Sequence, residues 1–183
     1  MYNKSKNNQV IYSLNTLSDS LIKLLETDNL NDITITEICN STNLSRKTFY
    51  RNCENVLDLI LYKIDKLLTI LINQTNWESS DVEKLYTAFF IFWYKERCFL
   101  STLKKHDLFY LFTISYNSVM RNVSYPFLNN ILYNKENKND FIIFYNAFII
   151  GGLVQVLEKW TETNFKADIS SLVEIMCKLA PEH

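Results

Sequence analysis

Hydrophobic residues recur at three- and four-residue spacing along most of this chain, a pattern that predicts amphipathic α-helices. The first clear run covers residues 12–26, where leucines return on one helix face. A second run follows Asn55 and continues to about residue 73. Two further apolar runs begin at Phe141 and Ile169 and end the chain. The pattern therefore predicts a set of packed helices separated by polar breaks.

The middle of the chain predicts three more helices. Ser80 is the expected N-cap of a helix that ends near Lys95. A short helix is expected over residues 100–104, and a longer one over residues 108–133. The longer helix is expected to bend near Pro126, because proline lacks the amide N–H that a helix interior needs.

Between the first two long runs, residues 33–51 carry the cap and turn residues of two short helices. Thr34 and Glu37 have the spacing of a capping box, in which each side chain bonds the backbone N–H of the other residue. Asn43 tolerates the left-handed backbone conformation that a tight turn needs. Ser45 is the expected N-cap of the second short helix. These features predict a helix-turn-helix.

The first turn of that second helix is expected to point Arg46, Lys47 and Thr48 outward, while Phe49 faces the core. The N-terminal residues of a recognition helix enter the major groove of DNA. There, Arg or Lys reads guanine, and Thr reads polar base edges or the thymine methyl group. The segment therefore predicts binding to double-stranded DNA.

Residues 32–60, DITITEICNSTNLSRKTFYRNCENVLDLI, resemble the DNA-binding domain of the TetR family of bacterial transcriptional regulators. The sequence departs from the family pattern at Asn43, where glycine is usual, at Asn52 and Cys53, and at Val56, where a phosphate-contacting lysine is usual. The resemblance, with the helix geometry, implies that DNA is contacted by Thr34, Ser45, Arg46, Lys47, Thr48, Tyr50, Arg51 and Asn52.

Composition agrees with a helical protein and narrows its partners. The 183 residues include only two glycines and two prolines, too few for the hairpins and tight loops of a β-rich fold, so we expect an all-α protein. The formal net charge is −1, so any contact with DNA must be local. The four cysteines and two histidines lack metal-ligand spacing, and neither a metal nor another cofactor is expected.

The helix pattern divides the chain into three parts. We expect a DNA-binding domain over residues 1–54, a linking helix over residues 55–76, and a helical regulatory and dimerisation domain over residues 77–183. The polar residues 1–9 are expected to form a frayed tail without the apolar core of a signal peptide, and unpaired cysteines fit a reducing compartment. We therefore expect a cytoplasmic protein with no membrane span.

Aromatic residues are concentrated between residues 89 and 128. Rigid rings fill a helical core irregularly and leave gaps near helix ends, so this region is expected to border a cavity for a small apolar or aromatic inducer. The expected lining residues are Phe89, Trp93, Phe112, Tyr116 and Phe127.

Both glycines lie together inside a predicted helix, although each costs about 1 kcal/mol there relative to alanine. Close approach of another segment explains them, either within one protomer or in a symmetric helix crossing between two protomers, and we favour the crossing. The surrounding stretch GGLVQVLEKW resembles the C-terminal region of a TetR subgroup common in low-GC Gram-positive bacteria, and TetR-like proteins dimerise through their last two long helices. The expected homodimer interface comprises Tyr145, Phe148, Gly151, Gly152, Val156, Trp160, Leu172 and Met176.

These observations lead to two functional hypotheses. The first is a homodimeric DNA-binding regulator, a repressor relieved by a small molecule or partner that binds the C-terminal domain. The second is a TetR-like co-regulator that acts through protein contacts, with weak or no operator binding of its own. An enzyme is not expected, because the sequence has no glycine-rich phosphate loop or metal cluster, and His106 has no evident nucleophile partner.

Overall fold

The computed structural model describes residues 1–75, 81–119 and 138–179. Every regular element within these residues is an α-helix, and no β-strand occurs among them. The all-α fold class predicted from the sequence is therefore confirmed. The predicted bend at Pro126 lies outside the described residues.

The N-terminal part of the fold consists of four helices. They are α1 (Asn8–Leu25), α2 (Ile35–Thr42), α3 (Arg46–Asn52) and α4 (Leu57–Gln74). The helices described in the remainder are α5 (Val82–Lys95), α6 (Arg97–Lys105), α7 (Tyr110–Val119), α8 (Lys138–Glu162) and α9 (Ile169–Leu179).

Helix α1 is the packing centre of the N-terminal helices and contacts α2, α3 and α4. Its leucines at positions 14, 17, 21 and 25 are at most 1% exposed, as the leucine spacing predicted. The buried hydroxyl of Ser18 donates to the carbonyl oxygen of Leu59 at 2.9 Å, which joins α1 to α4. This core holds the two short helices in place.

Helix α4 packs against both α1 and α7. It begins later than the Asn55 cap predicted, with Val56 at its N-cap. The Asn55 side chain still accepts a hydrogen bond from the Asp58 amide at 3.2 Å, so its capping chemistry is present.

The cap of α5 differs from the prediction. Asp81 is the N-cap, and its carboxylate accepts a hydrogen bond from the Lys84 amide at 3.1 Å. Hydrogen bonds from Lys84 also hold the pKa of the Asp81 carboxyl below its usual value. The expected cap, Ser80, lies outside the described residues, and the charged acceptor one position later takes the role.

The N-terminal segment is bound to the fold, so the expectation of a frayed tail over residues 1–9 is wrong. The Asn3 amide donates to the carbonyl oxygen of Asn52 at 2.7 Å, and the side chain of Tyr2 is half-buried. In addition, α1 already begins at Asn8 with Asn7 as its cap. The segment is held because buried acceptors on α3 and α4 face it.

Candidate nucleic-acid interface

The start of α2 is fixed by the predicted capping box. The Thr34 hydroxyl accepts from the Glu37 amide at 3.2 Å, and the Thr34 amide donates to the Glu37 carboxylate at 2.7 Å. The same hydrogen bonds lower the pKa of the Glu37 carboxyl. Thr34 itself is exposed at the beginning of the helix.

The turn between α2 and α3 has the left-handed residue that the sequence predicted. Asn43 has φ of 55° and closes α2, with its amide bonded to the carbonyl oxygen of Cys39. Ser45 then caps α3, and its hydroxyl accepts from the Thr48 amide at 3.1 Å. The two short helices are thus joined by a tight turn, and Arg46 and Lys47 in the first turn of α3 are exposed.

Helix α3 presents one buried side and one exposed side. Phe49 is fully buried, whereas Tyr50 is 53% exposed. The Arg46 guanidinium lies 6.0 Å from the centre of the Tyr50 ring, one helical turn further on, in a cation–π arrangement. The other exposed side chains of the cap and helix are Ser45, Lys47 and Arg51, and Thr48 is half-buried.

The exposed side of α3 is positively charged. It carries Arg46, Lys47 and Arg51, and the helix contains no acidic residue. Among the residues that the structure describes, no ion pair involves these three cations. In a chain of net charge −1, this is a local positive surface of the kind that phosphates attract.

Asn52 does not belong to that surface, although the sequence analysis grouped it with the DNA contacts. Its side chain is 2% exposed and donates to the carbonyl oxygen of Thr48 at 2.9 Å. Because its position is the last of α3, it turns inward towards the N-terminal segment. The structure therefore assigns Asn52 a supporting place behind the helix.

Four of the expected pocket residues, on α5 and α7, are buried, and three of them come together. Phe89, Trp93, Phe112 and Tyr116 are each at most 6% exposed. The Trp93 ring lies 4.9 Å from that of Phe112 and 6.4 Å from that of Phe89, measured between centroids. The Trp93 ring thus contacts the other two rings, and the fifth expected residue, Phe127, lies outside the described residues.

The expected interface residues divide between interior and surface. Trp160 and Met176 are only 3% and 7% exposed, so they pack within the protomer. The Trp160 indole N–H donates to the carbonyl oxygen of Ala167 at 2.9 Å, and its ring lies 5.7 Å from that of Phe90. These two residues do not form a surface for a second copy.

The exposed side of α8 carries apolar residues from Ile143 to Gly152 and polar ones from Gln155 onwards. Phe144 and Phe148 are 72% and 70% exposed, and Gly151 and Gly152 follow them on the same side. No atom of the described residues lies within 4 Å of a Cβ placed at either glycine, so packing against these residues does not explain the two glycines. The remaining expected residues are half-buried: Tyr145 and Val156 on α8, and Leu172 on α9.

Sequence reasoning missed four exposed apolar residues of the last two helices: Ile143 and Phe144 on α8, and Ile175 and Leu179 on α9. The spacing of Phe144, Phe148 and Gly151 was a usable signal, because residues four and three apart share one helix face.

Among the described helices, none has the length and apolar character needed to cross a membrane.

A solved structure described as the dihydroxyacetone kinase operon activator DhaS has a similar fold. The two structures align with a TM-score of 0.53 and 14% sequence identity, over 92% of this chain and 98% of that chain. No protein-family model matches the sequence, and no curated protein matches it. At this identity the similarity shows a shared fold.

Proposed function

We propose that this protein is a transcriptional regulator that binds double-stranded DNA through α3. The observation that carries the proposal is the exposed side of α3, where three cations without ion-pair partners among the described residues follow a left-handed turn and a serine cap. The fold shared with DhaS supports it, since that protein is named as an operon activator.

In this proposal some residues of α3 contact bases and others contact phosphates. Arg46 and Lys47 lie in the first turn, which enters the major groove, and they read base edges. Tyr50 and Arg51 lie further along the exposed side and contact the backbone, together with the hydroxyls of Thr34 and Ser45. Thr48 is half-buried and supports the first turn through its contact with the Ser45 hydroxyl, 3.0 Å away.

We further propose that the protein acts as a homodimer joined through the exposed side of α8. Two exposed phenylalanines on a helix that also exposes two glycines suit a close, symmetric crossing with a second copy. Such a dimer places two α3 helices on successive major grooves, which lie about 34–36 Å apart. In this dimer, residues 1–54 bind DNA, and residues 77–183 form the dimer and sense a signal. Helix α4 connects these two parts of each protomer.

A contact between α6 and α1 offers a route from the sensing part to the DNA-binding part. The Lys105 ammonium donates to the carbonyl oxygen of Glu26 at 2.9 Å. The Nε2 atom of His106 forms a hydrogen bond with the carbonyl oxygen of Leu25 at 2.8 Å. These carbonyls end α1, where positive groups interact favourably with the helix dipole. A small apolar ligand or a partner that moves α6 would move α1, change the separation of the two α3 helices, and relieve repression.

The test is DNA binding by the full chain in a cytoplasm-like buffer. We expect the protein to bind the DNA that flanks its own gene more tightly than random DNA in a fluorescence anisotropy titration. Arg46→Ala and Lys47→Ala should each weaken specific binding by about 1–3 kcal/mol and relax the base preference at one position of each half-site. Lys95→Ala, an exposed cation on α5, is the matched control and should leave binding unchanged.

Equal losses on specific and random DNA would reassign the altered residue to the phosphate backbone.

The second candidate function is a co-regulator that works through protein contact. Val56 favours it, because this apolar residue packs against the core at the position where a cation would meet a phosphate. Failure of the wild-type dimer to bind any DNA above non-specific affinity would support that candidate over the first.

A further inference from the structure

Residues 2–5, here called the N-terminal strap, lie across the linking helix. The Tyr2 hydroxyl donates to the Asp65 carboxylate on α4 at 2.5 Å. The Tyr2 ring also meets the Tyr62 ring edge-on, with 5.3 Å between centroids. Burial and the neighbouring carboxylate both raise the pKa of the Tyr2 hydroxyl, so it keeps its proton and remains a donor.

The buried Asp65 carboxylate needs the hydrogen bond from the Tyr2 hydroxyl. The residue is 9% exposed, and its Oδ1 atom has no hydrogen-bond partner among the described residues. Its other carboxylate oxygen, Oδ2, holds the Tyr2 hydroxyl, with the Lys4 ammonium 3.9 Å away. A buried carboxylate that loses a donor is strongly disfavoured, so the strap is held firmly at this end.

The other end of the strap holds the recognition helix. The Asn3 amide donates to the carbonyl oxygen of Asn52 at 2.7 Å, and the two side-chain amides meet at 3.4 Å. Asn52 is the last residue of α3, where carbonyl groups lack partners within the helix. Its side chain in turn donates to the carbonyl oxygen of Thr48, one turn back. The strap therefore closes the C-terminal end of α3.

We propose that the N-terminal strap is a second connection between α4 and the recognition helix, and that Tyr2 positions α3 through it. The first connection is the short turn between α3 and α4, residues 53–56. The strap bypasses that turn, because it is attached to α4 more than two helical turns beyond its start and to α3 at its last residue. When α4 tilts, the strap therefore moves the end of α3 together with the start of α4. Helices α3 and α4 then move as one rigid unit. The functional meaning rests on the DNA binding proposed above.

The test compares Tyr2→Phe with Tyr12→Phe in the full chain, by amide hydrogen exchange without DNA. Tyr12 is 64% exposed on α1, so its variant loses a hydroxyl that faces solvent. In Tyr2→Phe we expect at least tenfold faster exchange at the Asn3 amide, because a hydrogen bond to a charged group contributes more than about 1.4 kcal/mol, which is tenfold. We also expect faster exchange at the Cys53 amide, which bonds the carbonyl oxygen of Phe49 at the end of α3.

Circular dichroism should show both variants folded, and Tyr12→Phe should exchange like the wild type. Specific DNA binding should weaken severalfold in Tyr2→Phe alone. Faster exchange at Asn3 with unchanged exchange at Cys53 would overturn the proposal, since the strap would then detach without affecting α3. If the wild type binds no DNA, the proposed function fails, and the exchange at Cys53 still decides whether the strap holds α3.

Discussion

The dimer proposal is tested most directly at Phe148. Full burial of a phenylalanine side chain is worth about 1.5–3 kcal/mol, and this ring is 70% exposed in the protomer. If a second copy covers that exposed part, Phe148→Ala removes about 1–2 kcal/mol of favourable burial per protomer. A symmetric dimer loses it twice, about 2–4 kcal/mol in all, which weakens the dimer roughly 30- to 700-fold.

Sedimentation velocity over a dilution series measures this change. The wild type should remain dimeric at micromolar concentration, and Phe148→Ala should shift towards the protomer there. Tyr12→Ala is a suitable control, because Tyr12 is an aromatic residue of similar exposure, 64%, on a helix outside the proposed interface. A dissociation constant for Phe148→Ala within twofold of the wild type would refute the assignment of this side of α8.

Three further variants test separate parts of the argument. Gly152→Leu should leave the protomer folded, because no described residue comes within 4 Å of its Cβ position, and it should abolish the dimer in sedimentation. A dimer of unchanged strength would place the crossing elsewhere. Asn43→Ala should lower the free energy of unfolding by about 1–2 kcal/mol in denaturant titrations, because its φ of 55° is left-handed, whereas Asn43→Gly should cause no such loss. Val56→Lys should tighten binding to specific and random DNA alike and steepen the slope of log K against log salt by about 1.8 per dimer; unchanged slope and affinity would separate position 56 from the DNA backbone.

The helix-turn-helix could be predicted from the sequence because its determinants are local. The capping box joins residues three apart, Asn43 sets its own backbone conformation, and Ser45 bonds a residue three positions on. None of these contacts needs information from a distant part of the chain. The buried position of Asn52 was missed because its partner, Asn3, lies far away in the sequence.

The C-terminal helices were predicted less well because α8 is apolar around most of its circumference. Such a helix has no clear face of its own, and its neighbours decide which residues are covered. Trp160 is buried because its ring packs against Phe90 and its indole N–H donates to the carbonyl oxygen of Ala167. The sequence pattern does not reveal these two contacts. Phe144 and Phe148 are left outside for the same reason. Helical spacing could group Phe144, Phe148 and the two glycines on one side, but tertiary packing decides that Trp160 is covered and this side is not.

The position of α3 depends on neighbours at both of its ends. At its start, Ser45 and the left-handed turn connect it to α2, which packs on α1, while α1 is held at its far end by Lys105 and His106. At its end, the strap connects it to α4, which packs against α7. A movement among the C-terminal helices can thus reach α3 through α1 and through α4. The two routes meet at opposite ends of a seven-residue helix, so we expect unequal movement of α1 and α4 to rotate α3 and equal movement only to translate it. If Arg46 and Lys47 read base edges as proposed, such a rotation would remove them from the bases. A signal that moves α1 and α4 unequally should then change specific binding more than non-specific affinity.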